Sequence, residues 1–177
     1  MRDQFAKTNA TEKMNVFGVQ TVLIIILAGA VAALTIFVRV PTPATGGYVN
    51  LGDVAVIFCG LFLGGRWGLL AGGLGSALAD LISGAFIFIP ITFVAKGLEA
   101  FIAGSLGRKH AAWLLLAMVA MFSTYFIAEI FLPGVGVSAA LSSLPFNIIQ
   151  GTIGAVGGLG IYYGVKKALP SYAKFNS

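Results

Sequence analysis

The sequence predicts an all-α integral membrane protein, a bundle of six transmembrane helices with both termini in the cytoplasm. Of its 177 residues, 58% are hydrophobic and only 10% are charged, and the mean hydropathy is +0.96. A soluble domain of this length carries roughly a quarter charged residues. The apolar runs are long and lack strict alternation, which argues against a transmembrane barrel and leaves helices as the structure that satisfies the backbone in lipid.

The chain is predicted to consist of a membrane domain, residues 16–167, between two short cytoplasmic tails, residues 1–15 and 168–177. The first span is expected at residues 16–38, an uncharged stretch that is too long for a secretory signal core and long enough to cross a bilayer. Residues 39–50 contain two prolines and two glycines and are predicted to form an ordered or gating loop.

The second and third spans are expected at residues 51–65 and 67–83, joined by a tight turn at Gly64-Gly65-Arg66. The second span is short for a bilayer, so whether it crosses fully stays open. Small residues recur every fourth position on the third span and predict a face that a neighbouring helix backbone can approach closely. These small residues are Gly68, Gly72 and Ser76.

Two acids, Asp53 and Asp80, stand near the ends of this helical hairpin. An up-and-down arrangement of the two spans places both carboxylates at the same membrane surface. A carboxylate at membrane depth is costly and indicates a functional site. For Asp53, a position among headgroups and water is an equally good interpretation.

The remaining three spans are expected at residues 89–106, 112–131 and 144–165. Pro90 falls in the first turn of the fourth span, which is a favoured position for proline. Residues 133–143 are uncharged and are predicted to form a flexible loop.

The basic residues predict the orientation of this bundle. Six spans place nine of the 11 lysines and arginines on the side that holds both termini, whereas the opposite side has Arg39 only and Lys96 lies within a span. Because short cytoplasmic segments carry an excess of lysine and arginine, that side is the cytoplasmic one. The nine residues are Arg2, Lys7, Lys13, Arg66, Arg108, Lys109, Lys166, Lys167 and Lys174.

Polar residues gather in the opposite, outer half of the bundle and are the candidate substrate-binding residues. A water-accessible pocket capped by the loops at residues 39–50 and 133–143 explains why they share this depth. A helix ion pair between Lys96 and Glu99, which are three positions apart, explains those two residues alone. The candidates are Asp80, Lys96, Glu99, Tyr125, Glu129, Asn147 and Gln150, and the candidate apolar walls are Phe88, Phe93, Tyr125 and Phe146.

The sequence offers no catalytic or metal-binding motif. A GxxxxGK[ST] phosphate loop is absent, so the polypeptide cannot drive ATP-dependent transport alone. Cys59 is the only cysteine and His110 the only histidine, and His110 is predicted to lie on the side opposite the pocket. The few charges cannot make a nucleic-acid surface. The chain is therefore expected to be a binding subunit that needs a motor.

The chain resembles the substrate-binding (S) components of energy-coupling factor (ECF) vitamin transporters over nearly its whole length. Residues 48–84, with the pattern YVNLGD…GGRWG…GSALADLISG, look like the second and third spans of the riboflavin-type branch. The first span contains an AxxxA pattern similar to the one with which S components dock onto their partner. By this resemblance, the docking residues are Ala28, Gly29, Ala32 and Ala33.

The resemblance implies a vitamin-binding subunit in the plasma membrane of a prokaryote. Such a subunit captures a vitamin from outside, docks on a transmembrane coupling protein with two cytoplasmic ATPases, and topples in the bilayer. The partners hydrolyse ATP with Mg²⁺, and this chain is expected to bind no cofactor or metal.

The substrate expected first is a small heteroaromatic vitamin or precursor, such as pyridoxine or a hydroxymethylpyrimidine, and riboflavin and pantothenate are further candidates. The alternative from another class is a membrane assembly or scaffolding protein without a ligand, whose polar groups only lock the helices together.

Overall fold

The computed structural model describes residues 2–42 and 47–169, and this part of the chain is built from six α-helices and one short β-hairpin. The predicted all-helical class is confirmed apart from that hairpin. The helices are α1 (Arg2–Phe37), α2 (Gly52–Leu63), α3 (Gly65–Ser83), α4 (Ile89–Ile102), α5 (Trp113–Phe131) and α6 (Gly136–Ala168). A 3₁₀ turn, Phe86–Phe88, precedes α4, and a π-helical turn, Ala103–Gly107, extends it.

Within residues 2–42 and 47–169, four stretches are long and apolar enough to cross a membrane, judged by length and composition alone. They are Gly18–Phe37, Phe86–Gly107, Trp113–Phe131 and Gly136–Ala168. Helix α2 has 12 residues, and at about 1.5 Å per residue its length of about 18 Å falls short of the roughly 30 Å hydrocarbon core. The full six-span arrangement and the cytoplasmic termini therefore stay predictions.

The segment predicted as an ordered loop forms the antiparallel hairpin of β1 (Arg39–Thr42) and β2 (Gly47–Asn50). Arg39 pairs with Asn50 in its register, and the Leu51 amide donates to the Val38 carbonyl oxygen at 3.3 Å. These contacts place the hairpin against the ends of α1 and α2, where it covers the site described below.

Helix α6 begins earlier than the sequence predicts. The prediction of a flexible loop at residues 133–143 is wrong from Gly136 onward, because α6 begins at that residue. Ala140 is fully buried, and the Ser143 hydroxyl donates to Glu129 Oε2 on α5 at 2.5 Å, so the first turns of α6 are held against the bundle. Pro145 removes one backbone donor but lies inside the helix without ending it.

The small residues of α3 allow the close packing that the sequence predicts. A Cβ atom added to Gly68 would lie 2.6 Å from the Gly60 Cα of α2, so the two backbones nearly touch. On the α4 side, a Cβ at Gly72 would lie 3.1 Å from Ala100 Cβ. Ser76 is buried at 2% exposure. Helix α3 is thereby packed between its neighbours, and its end projects Asp80 toward the site.

Candidate functional site

A polar cavity lies among five of the six helices and is covered by β2. Its empty space, including the part open to solvent, is about 530 Å³, but the centre of a water molecule can reach only about 30 Å³ of it. The lining residues come from every helix except α2. They are Thr35, Tyr48, Asn50, Ser76, Asp80, Phe88, Thr92, Lys96, Tyr125, Glu129, Ser143, Asn147 and Gln150.

The structure brings together six of the seven residues that the sequence singled out for substrate binding. Asp80, Lys96, Tyr125, Glu129, Asn147 and Gln150 all line the cavity. Glu99 is fully buried beside Lys96 and does not line it. Of the expected apolar walls, Phe88 and Tyr125 are present, whereas Phe93 packs against Gly73 and Phe146 is 47% exposed.

A buried ion-pair network forms the floor of the cavity. Lys96 Nζ donates to an oxygen of Asp53 and lies 3.5 Å from Glu99 Oε2. All three residues are at most 2% exposed. The predicted pairing of Lys96 with Glu99 is therefore present, but Asp53 on α2 is the closer partner. Two carboxyl groups thus share one ammonium group.

Asp53 is deeply buried, so its interpretation as a residue in contact with water among the headgroups is wrong. Gly154 on α6 explains how it is accommodated, because a Cβ atom at that position would lie 2.4 Å from Asp53 Cβ. Both Asp53 oxygens also accept hydrogen bonds from Gln150 Nε2 at 3.1 Å. No local pattern indicates the contact between Asp53 and Lys96, since the two residues are 43 positions apart.

The hairpin is fastened over the cavity by two hydrogen bonds. The Tyr48 hydroxyl donates to Asp80 Oδ1 at 2.5 Å, and the backbone N–H of Asn50 donates to Gln150 Oε1 at 2.6 Å. Burial, followed by the interaction with Asp80, raises the pKa of Tyr48 above its ordinary value. The phenol therefore stays protonated at neutral pH and keeps its role as a donor. Tyr48 and Asn50 were missed as individual site residues because a loop position does not predict such long-range partners.

The opposite wall combines hydroxyl groups with a second acid. The Tyr125 hydroxyl donates to Thr92 Oγ1 at 2.9 Å, and Glu129 accepts from Ser143. Two buried polar atoms of lining residues, Thr35 Oγ1 and Asp80 Oδ2, have no hydrogen-bond partner among the described residues. The cavity can thus offer both donors and acceptors to a small molecule. Within residues 2–42 and 47–169, no group of three or more metal-binding side chains is found.

The four expected docking residues divide between two environments on α1. Ala32 is 5% exposed, and the backbone of Ala28 packs against α3, where a Cβ at Gly75 would lie 2.5 Å from the Ala28 carbonyl oxygen. Ala33 is half-buried. Gly29 is exposed, and an added Cβ would meet nothing within 4 Å. Gly29 is therefore the member of the set that is open to another molecule.

Comparison with known proteins identifies a family and a relative. The family model described as "ECF-type riboflavin transporter, S component" matches residues 17–167. A protein of Pyrococcus woesei named "Uncharacterized protein in gap 3'region" is 36% identical over 146 residues, which cover 79% of this chain and 97% of the relative.

Proposed function

Because the chain belongs to the family of S components of ECF-type riboflavin transporters, we propose that its polar cavity captures a vitamin for import. S components are the membrane-embedded vitamin-binding subunits of these transporters and are not enzymes. The family therefore gives the class of function, and the cavity provides the proposed place of binding.

The observation that carries this proposal is a cavity lined by polar side chains from five helices and the hairpin. In a scaffold, the polar groups would satisfy one another, since a buried polar atom without a partner is costly. Here Asp80 and Thr35 both line the cavity, and among the described residues their Oδ2 and Oγ1 atoms have no hydrogen-bond partner. This favours a site that is completed by a ligand over the scaffolding alternative.

The size of the cavity bears on the substrate and on how it enters. The 30 Å³ open to a water centre suffices for one or two waters, whereas pockets for small molecules are typically about 300–1,000 Å³. Entry therefore requires the β1–β2 hairpin to move, which breaks the Tyr48–Asp80 and Asn50–Gln150 bonds. A small heteroaromatic vitamin, such as pyridoxine or a hydroxymethylpyrimidine, needs the least expansion. Riboflavin is the second candidate, favoured by the description of the family model.

The proposed partners are a transmembrane coupling protein and two cytoplasmic ATPases that use ATP and Mg²⁺. The test is vitamin uptake in a host without its own importer, with this chain expressed alone or together with the three partner subunits. Uptake is expected only with the complete set. The purified chain should carry a co-purifying small molecule that absorbs ultraviolet light. A failure of the complete set to import any of these vitamins would contradict the proposed function.

Substitution of Gly29 tests the proposed docking face. Gly29→Leu should weaken assembly with the coupling protein, because a bulky side chain keeps a partner helix from close approach. The melting temperature of the isolated chain should be unchanged, since the position opens onto free space. Gly160→Leu on α6 is the matched control, because its Cβ would also meet nothing within 4 Å. Co-purification that is equal for both variants would exclude Gly29 from the interface.

The proposed orientation can be tested by labelling single cysteines in a Cys59→Ala background. Val137 and Lys109 are exposed and lie at the beginning of α6 and in the turn after the π-helical segment. Val137→Cys should react with an impermeant thiol reagent added outside intact cells, and Lys109→Cys only after permeabilisation. The reverse pattern would place both termini outside and invert the proposed topology.

A further inference from the structure

The cavity contains more acid than base. Asp80 and Glu129 lie on its walls, and Asp53 and Glu99 lie beside Lys96 at its floor. Among the described residues that line the cavity, Lys96 is the one cation. Arg39 lies outside, exposed, with its guanidinium carbon 5.6 Å from the centre of the Tyr48 ring.

Lys96 makes its ion-pair contacts at the floor, and it attracts Asp80 on the wall without such a contact. Its ammonium group contacts both Asp53 and Glu99, so two carboxylates already outnumber it. Asp80 and Glu129 instead receive hydrogen bonds from the neutral hydroxyls of Tyr48 and Ser143. Asp80 is 4% exposed, and its Oδ2 atom has no hydrogen-bond partner, although the Thr92 side chain interacts with this carboxyl group.

A buried carboxylate is costly unless a cation or several donors compensate for it. A ligand with an amino or cationic nitrogen supplies that compensation, whereas an anionic ligand adds like-charge repulsion in a region of low dielectric constant. We propose that the ligand of this cavity presents an amino or cationic nitrogen to Asp80 and Glu129. This inference rests on the proposed vitamin-binding function and narrows its substrate class to nitrogen heteroaromatics that are amino-bearing or positively charged.

A matched pair of probes tests this substrate class. One is the hydroxymethylpyrimidine that carries a ring amino group, and the other is its analogue with a carbonyl oxygen in place of that amino group. Titration calorimetry on the purified full-length chain should show binding of the amino probe and about tenfold or more weaker binding of the carbonyl analogue. Pantothenate, an anion, should give no measurable binding, and riboflavin, which is uncharged, should bind more weakly than the amino probe.

Two variants test whether Asp80 and Glu129 are the groups that bind the nitrogen of the ligand. Asp80→Asn and Glu129→Gln should each lower the affinity for the amino probe about 10- to 100-fold, because each loses a charge-assisted hydrogen bond. The ratio of their affinities for the amino probe and the carbonyl analogue should be smaller than that of the wild type. Thr152→Ala should change neither value, because Thr152 is exposed and donates to Ile148 of its own helix. If one of the two acid variants does not fold, the other provides the same comparison.

The outcomes separate this inference from the function on which it rests. Tighter binding of riboflavin, pantothenate or the carbonyl analogue than of the amino probe would overturn the proposed substrate class and leave vitamin capture standing. Equal affinities of wild type and both acid variants for the amino probe would likewise overturn it. Absence of binding by every probe and by pyridoxine would overturn both proposals.

Discussion

Replacement of Lys96 by methionine is expected to lower the free energy of unfolding by about 3–5 kcal/mol, because it leaves buried carboxylates without their cation. Asp53 and Glu99 are at most 1% exposed, so water cannot take the place of the lost ammonium group. The measurement is a denaturation curve of the detergent-solubilised chain. Lys109→Met, which removes an exposed lysine, is the matched control and should change stability little.

The variant Asp53→Asn distinguishes the contribution of the Lys96–Asp53 pair to stability from that of the Lys96–Glu99 pair. It keeps the size of the side chain, and Lys96 retains Glu99 as its counter-ion. The loss should therefore be smaller than for Lys96→Met, about 1–3 kcal/mol. Equal stability of Lys96→Met and wild type would contradict a stabilising ion-pair network at the cavity floor.

Replacement of Arg108 by methionine is expected to be the second most disruptive change, with a loss of about 2–3 kcal/mol. Arg108 Nε donates to the Leu61 carbonyl oxygen at 2.6 Å, and Nη2 donates to the Phe62 carbonyl oxygen at 2.8 Å. The last carbonyl groups of a helix lack partners within the helix, so Arg108 satisfies two at the end of α2. Hydrogen bonds from a charged donor contribute about 1.5–3 kcal/mol each, less for a half-exposed site.

Arg108→Lys distinguishes the role of geometry from that of charge. A lysine ammonium is a compact point charge and does not reproduce the fork of a guanidinium. Arg108→Lys should therefore recover only part of the stability lost in Arg108→Met, and Lys109→Ala next to it should have little effect because Lys109 is exposed. Full recovery by lysine would show that charge alone stabilises the end of α2.

Local sequence patterns predicted the helices well, but they failed where contacts between residues far apart in the chain determine the structure. The turn between α2 and α3 follows from its glycines, since Gly64 has a φ of +88° that favours glycine. The start of α6 was placed too late because a contact between Ser143 and Glu129 on another helix holds its first turns. Arg108 was interpreted only as a marker of orientation, since nothing in its neighbourhood indicates a helix cap 46 positions away.

The same distinction holds for the cavity. Depth along each predicted span was enough to select six lining residues, because polar groups in a membrane helix face the interior of the bundle. The partner of Lys96 and the contacts of Tyr48 depend on how α2 and the hairpin pack against the other helices. The spacing of residues in the sequence does not indicate this packing. Glu99 was assigned to the cavity because depth does not distinguish a lining residue from one buried below it.

The claim that this cavity binds the imported vitamin is tested most directly by calorimetric titration of that vitamin into wild type and Asn147→Ala. Asn147 lines the cavity and is 8% exposed, and its neutral amide adds no long-range charge effect. The expected result is an affinity lowered by about 1–3 kcal/mol, with a nearly unchanged melting temperature of the ligand-free variant. A lower melting temperature with unchanged affinity would contradict the proposed site and assign Asn147 a purely structural role.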